Sequence, residues 1–191
     1  MGKNLFLILI VISVLSILAN SCSPDTFVLN KYEGDNVIYV RMLNGIGKTE
    51  KINENSLEIK PDAIVSLKFI EETQFIDEFN LTLKSGNGVS LYLYTTEAEF
   101  GEQKNIEVNL TTAGYKIIKN EEMIAGSDSI KLELNKNYRI KIQQEGNLLK
   151  FSVNCADIII QVSKYVSNEY LIFQTGRTSE IQIDGITKQE N

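Results

Sequence analysis

The 191-residue sequence predicts an all-β body: a two-sheet antiparallel sandwich that follows a cleaved N-terminal signal helix. Three observations predict it. After residue 21, apolar residues recur with a period of two in run after run, and no stretch of comparable length keeps a helical i, i+3, i+4, i+7 stripe. The runs are separated by Gly, Asn, Asp and Ser at intervals of roughly 8 to 12 residues, the rhythm of a sandwich or barrel. The first 21 residues differ in kind, with one lysine followed by a mostly apolar run of 14 residues.

In order along the chain, Met1-Gly2-Lys3-Asn4 precedes Leu5 to Leu18, in which only serines interrupt the aliphatic residues, and Ala19-Asn20-Ser21-Cys22 closes the segment. That pattern is a secretory signal, too short to span a bilayer, which needs about 20 apolar residues. Ser21-Cys22, a cysteine directly after a small residue at the end of the apolar run, resembles the lipobox of bacterial lipoproteins. The resemblance implies cleavage before Cys22, diacylglycerol on its thiol and acylation of the new amino group. The alternative is an ordinary secreted protein cut near Ser21 with a leftover free cysteine. Two or more acyl chains on one residue hold a protein stably on a membrane, where one chain does not. The domain plan is therefore a lipoprotein signal peptide at 1–21, a tether at 22–30 and a β-sandwich at 31–191.

The strands expected in the body are centred on Val37–Arg41, Ile64–Phe69, Phe79–Leu83, Val89–Tyr94, Ile106–Leu110 and Tyr115–Ile118. They continue with Ile130–Leu134, Tyr138–Ile142, Leu149–Val153, Ile158–Val162, Tyr170–Phe173 and Glu180–Ile183. Isoleucine and asparagine are abundant throughout, so the alternation and not raw β-propensity identifies these strands. Lys131 and Glu133, Arg139 and Lys141, and Glu107 fall on the opposite parity from their apolar neighbours, as one face in the core and one in water requires. Ser85-Gly86-Asn87-Gly88, Glu145-Gly146-Asn147 and Gly126-Ser127-Asp128 supply turn residues tolerant of positive φ. Residues 44–62 are the least regular part and read as an edge segment or loop.

Composition restricts the chemistry. The chain has no histidine and no tryptophan, 19 basic and 25 acidic residues, and a formal charge of −6. Removing residues 1–21 takes away Lys3 alone among charged residues and leaves 18 against 25, or −7. Histidine-based nucleophile pairs, general bases and imidazole metal sites are excluded. The acidic balance argues against nucleic acid, whose phosphates need clustered Lys and Arg. With Cys22 acylated, Cys155 is the remaining thiol, so no intramolecular disulfide forms, and Cys155 reads as a small buried apolar residue. No cofactor is implied. Asp128 and Asp157 are isolated, so no calcium or other metal site is expected.

Asn137-Tyr138-Arg139-Ile140-Lys141-Ile142, the turn Glu145-Gly146-Asn147, and Leu149-Lys150-Phe151-Ser152-Val153-Asn154 together resemble the concanavalin A-like jelly roll of lectins, laminin G-like domains and glucanases. The closing pair, Tyr170 to Gln174 and Glu180 to Ile186, is similar to that of the 3-keto-disaccharide hydrolase-like branch. The resemblance covers Leu134 to Ile186 and implies the two-sheet jelly-roll fold. Asn154-Cys155 stands where the family has Asn-Gly, so the turn is either longer or uses Asn154 alone at positive φ. The tryptophan and histidine on which hydrolytic and sugar-stacking members rely are absent here, so the architecture carries over and the hydrolase activity does not. Asp128-Ser129-Ile130 also resembles an O-glycosylation acceptor.

A jelly roll binds ligand on its concave sheet, where aromatic rings stack on sugars and amides or carboxylates bond their hydroxyls. Tyr92 and Tyr94 share one parity opposite Leu91 and Leu93, so leucines in the core would display both tyrosines; a second buried face or a cross-strand tyrosine ladder explains the same pattern. Gln174, Arg177 and Glu180 flank a glycine turn and form a second candidate group, with a solvated hairpin loop as the alternative. The expected function is a non-catalytic carbohydrate-binding or envelope-surface module on a membrane lipoprotein. The alternatives are a glycan-cleaving hydrolase using a carboxylate pair, whose members no motif identifies, or a structural lipoprotein with envelope protein partners. Localisation to the bacterial cell envelope follows from Cys22, and Ser23 after it is compatible with the outer membrane.

Overall fold

The computed structural model describes residues 26–29, 38–45, 47–53, 55–69, 76–95, 106–145, 147–162 and 170–188. The signal segment and Cys22 lie outside them. Fifteen strands follow in order: β1 (Thr26–Leu29), β2 (Ile38–Gly45), β3 (Thr49–Asn53), β4 (Ser56–Ile59), β5 (Ala63–Phe69), β6 (Ile76–Ser85), β7 (Gly88–Thr95) and β8 (Ile106–Thr111). The series ends with β9 (Tyr115–Lys119), β10 (Glu122–Ser127), β11 (Asn137–Glu145), β12 (Leu148–Val153), β13 (Ala156–Gln161), β14 (Tyr170–Thr175) and β15 (Glu180–Lys188). No helix among the described residues is long and apolar enough to cross a membrane.

The strands form two antiparallel sheets, an eight-stranded one in the order β1-β2-β5-β14-β7-β8-β9-β10 and a seven-stranded one in the order β13-β12-β11-β6-β15-β4-β3. Period-two patterning puts every second residue between them. The eight-stranded sheet contributes Val65, Leu67, Leu91, Leu93, Val108, Leu171 and Phe173 to the core, and the seven-stranded sheet contributes Leu57, Phe79, Leu81, Ile140, Phe151, Ile181 and Ile183. Phe79 and Phe173 meet edge to face across the sandwich, with ring centroids 5.5 Å apart and planes at 81°. That geometry sets the positive rim of one ring against the negative face of the other.

Several segments differ from or refine the sequence reading, and Gly126-Ser127, expected in a turn, closes strand β10. Ile130–Leu134, expected as a strand, is irregular apart from one bridge at Leu134, because it is the crossover from β10 in one sheet to β11 in the other. Leu132 N donates to Thr111 O at 2.9 Å and Asn135 N to Leu83 O at 2.8 Å, so the segment is tied to both sheets and belongs to neither ladder. The stretch 44–62, expected as an edge segment or loop, holds β3 and β4, and β3 is the edge strand that closes the seven-stranded sheet. Thr26–Leu29, inside the expected tether, pairs with β2.

Cys155 is corrected as well: it is exposed in the two-residue turn between β12 and β13, where Asn154 takes a φ of 55°. Asn154 Oδ1 accepts the Arg139 amide at 2.9 Å, which anchors the turn. A cysteine at a hairpin tip cannot fill a core, whatever its burial preference elsewhere.

Candidate functional site

The two outer faces differ in chemistry. On the seven-stranded sheet, charged groups neutralise one another. Glu78 is paired with Arg139 and lies 3.0 Å from Lys141 Nζ, Lys150 Nζ lies 2.8 Å from Asp157, and Lys60 Nζ lies 2.7 Å from Glu58 and 3.0 Å from Glu180. These contacts hold the Glu78, Glu58 and Asp157 carboxyls below their ordinary range, with a hydrogen bond from the cationic partner as the largest cause in each. Amides are engaged too: Asn80 Nδ2 donates to Asp184 Oδ1 at 3.2 Å.

The outer side of the eight-stranded sheet gathers hydroxyl, amide and carboxylate groups around one aromatic ring, with the Ser66 and Ser90 hydroxyls themselves buried. Strand register aligns Ser66, Ile172, Tyr92 and Glu107 in one row across β5, β14, β7 and β8, and Gln174, Ser90 and Asn109 in the next. Leu91 and Leu93 are fully buried in the core on the opposite parity, which turns Tyr92 outward. Tyr92 Oη donates to Gln174 Oε1 at 2.7 Å. Beside it, Ser90 Oγ donates to Glu107 Oε1 at 2.7 Å, and Asn109 Nδ2 donates to Ser90 Oγ at 2.8 Å. Burial, then the negative charge of Glu107, pushes the Tyr92 phenol up to about 12, so it stays a protonated donor at any physiological pH. Further along the face, Lys68 Nζ lies 4.9 Å from the centroid of the Tyr170 ring.

The arrangement offers one half-exposed ring, one amide, one carboxylate and one hydroxyl within two adjacent rows. Ile172, directly opposite Tyr92, is fully buried, and the pair fixes the ring against its neighbour strand. The Ser66 hydroxyl in the same row is buried and has no hydrogen-bond partner. Such a surface can stack a sugar ring and exchange hydrogen bonds with its hydroxyls. Among the described residues no group of three or more His, Cys, Asp or Glu side chains is placed to hold a metal ion.

The structure brings together two residues that the sequence singled out for unrelated reasons, Tyr92 and Gln174. It separates the rest of the second candidate group. Arg177 is exposed in the turn after β14, and Glu180 belongs to the other sheet, where it pairs with Lys60. The side chain of Tyr94 lies outside the described residues. Tyr92 faces Ile172 and Glu107 across its neighbouring strands, so no tyrosine ladder runs through it. Ser90, Glu107 and Asn109 were missed as site residues although their parity was legible, because only register shows that they lie beside Tyr92.

A cleft of about 540 Å³ at the end of the sandwich, lined by Lys131, Glu133, Lys136, Tyr138 and Cys155, is chemically closed by comparison. Its Tyr138 Oη donates to Lys131 O and accepts from Glu133 N, and Lys136 pairs with Glu133 at 2.6 Å.

No protein-family model and no curated protein sequence matches the chain. Solved structures do. The carbohydrate binding module CBM66 from Bacillus subtilis superposes with a TM-score of 0.57 at 16% identity, over 79% of this chain and 95% of the module. The Bacillus licheniformis beta-glucanase gives 0.54 at 9% identity, over 87% of this chain and 98% of the enzyme. A putative glycosyl hydrolase from Parabacteroides distasonis gives 0.53 at 8% identity, over 75% and 93%. At these identities the likeness is one of fold. The chain has the two-sheet jelly-roll sandwich fold that these proteins share.

Proposed function

We propose that this chain is a membrane-anchored bacterial lipoprotein, held through lipidated Cys22, whose sandwich binds carbohydrate without catalysis on the outer face of the eight-stranded sheet. The observation that carries the binding half is the Tyr92–Gln174 pair at 2.7 Å beside the Ser90–Glu107–Asn109 network. An immobilised aromatic ring flanked by an amide, a carboxylate and a hydroxyl meets what a sugar needs: an apolar face to stack on and polar groups for its equatorial hydroxyls. The same fold in a carbohydrate-binding module and in glucanases supports this reading. The anchoring half rests on the apolar run that ends in Ser21-Cys22, and Ser23 after it is compatible with the outer membrane.

A glycan array probed with the purified chain tests the first half. Binding to a subset of neutral glycans is expected, weakened at least tenfold in Tyr92→Ala and retained in part in Tyr92→Phe, with no reducing sugar released from the bound glycan. An array with no bound glycan, or unchanged binding by Tyr92→Ala, would refute it. Growth with a labelled fatty acid tests the second half: label on the wild-type protein and none on Cys22→Ala is expected.

A further inference from the structure

We propose that the chain forms a symmetric dimer by antiparallel pairing of β13 with β13 of a second copy, joining the two seven-stranded sheets into one. A free sheet edge is a row of unpaired backbone groups, and proteins protect such edges with lysine, proline or bulges. The edge strand β3 carries Glu50 and Lys51 and shifts register against β4 between Lys51 and Asn53. The edge strand β10 shifts against β9 between Met123 and Ala125. In contrast β13, Ala-Asp-Ile-Ile-Ile-Gln, has no lysine and no proline, and keeps an unbroken register of six pairs with β12. It also shows water an apolar surface: Ile159 is 58% exposed and Leu148, on the adjacent strand, is 50% exposed.

The register of that pairing follows from the hairpin. Val153 and Ala156 flank the two-residue turn, so they exchange backbone hydrogen bonds, and alternation directs the amides and carbonyls of Ala156, Ile158 and Ile160 toward β12. Those of Asp157, Ile159 and Gln161 point to the open edge. Val162 N donates to Asn147 O at 2.8 Å, which agrees with this parity. On the open side, Gln161 O accepts only a long 3.4 Å bond from Lys119 Nζ and keeps a lone pair for a partner.

A two-fold axis at Ile159 uses all three outward residues of each strand and sets Asp157 against the partner copy's Gln161, an acid against an amide at both ends. Axes at the neighbouring residues use fewer bonds. The two Ile159 side chains then meet on the outer face, so the edge is complementary to itself, as an isologous contact requires. Because this axis is normal to the sheet, both eight-stranded faces point the same way, and a dimer would present two Tyr92 surfaces to one glycan surface.

Cys155 provides the measurement. It lies four residues from the axis in each copy, so the two Cα atoms are about 27 Å apart, from eight steps of about 3.3 Å along the strand and one strand spacing across it. The full chain carrying Cys22→Ser, so that Cys155 is its only thiol, is spin-labelled in detergent and examined by double electron–electron resonance. A distance distribution centred near that value is expected, lost in Ile159→Lys. It should also be strongly weakened in Gln161→Asp, which faces two carboxylates at each end of the joint without touching the core. Absence of dipolar coupling in the parent chain, a distance far from this value, or coupling that survives both substitutions would overturn the proposal.

Discussion

Replacing Tyr92 by phenylalanine isolates the phenol at the centre of the candidate site. The ring remains, and the 2.7 Å bond to Gln174 Oε1 is lost. A net hydrogen bond of this kind contributes about 1 kcal/mol. The phenol also titrates, rising from 10.0 to about 12 on folding because burial and then the charge of Glu107 disfavour the phenolate. A folded pKa above the unfolded one means that the native state holds its proton more tightly. The contribution is therefore complete below pH 10 and is lost as pH climbs through the interval to about 12. Two pH units would correspond to about 2.7 kcal/mol for a fully shielded group. Solvent screening of a half-exposed phenol reduces this to about 1 kcal/mol, consistent with the hydrogen bond. Urea unfolding followed by far-ultraviolet circular dichroism should thus find wild type about 1 kcal/mol more stable than Tyr92→Phe from pH 7 to 9, with the gap closing between pH 10 and 12. Two titrations that stay parallel through that interval, or equal stabilities at neutral pH, would refute the reasoning.

Other perturbations probe the scaffold. Phe173→Ala should cost about 3–5 kcal/mol in urea unfolding, and a double-mutant cycle with Phe79→Ala should return a coupling of about 0.5–1.5 kcal/mol for the edge-to-face pair; additive losses would show that the rings do not cooperate. Lys60→Met strands Glu58 and Glu180 beside each other and should cost about 1 kcal/mol at neutral pH, the upper end for partly solvated pairs. Because Lys60 lowers the folded pKa of Glu58 below 4.5, that stabilisation is present above 4.5 and is lost on further acidification. The wild-type and Lys60→Met stabilities should therefore converge in acid. Gly86→Ala should destabilise by more than about 1 kcal/mol, since φ is +80° and a Cβ would lie 2.5 Å from Ser179 Cα; a melting temperature equal to wild type would contradict that contact.

The architecture was legible because its cause is local. Leu91 and Leu93 face the core for the same reason that Tyr92 does not, and the parity of six consecutive residues is enough to show it. Crossovers are a different matter. Ile130 to Leu134 alternates as well as many strands do, yet its amides bond to Thr111 and its neighbour's to Leu83 in opposite sheets, a fact of topology that no window of five residues contains. Cys155 illustrates the same limit from the other side, since its exposure is set by the two-residue turn that β12 and β13 need, not by its own preference for the interior.

Register also separates the two halves of the candidate site. Tyr92 and Gln174 are 82 residues apart, and they meet because β14 lies between β5 and β7, a placement that brings the Gln174 row beside the Tyr92 row. Glu180 is only six residues from Gln174, but the chain turns at Gly176 and enters the opposite sheet, where Lys60 claims its carboxylate. Closeness in sequence across a hairpin between sheets is thus a poor guide to a shared face, while wide separation within one sheet is no obstacle. The same logic separates the two outer surfaces by chemistry. Glu78, Glu58 and Asp157 are each matched to a cation, so a ligand there would have to break an existing pair. Around Tyr92, a sugar hydroxyl would meet a ring face and lone pairs on Glu107 and Gln174 that a single hydrogen bond each leaves open, and that difference is why the proposed glycan site is assigned to the eight-stranded sheet.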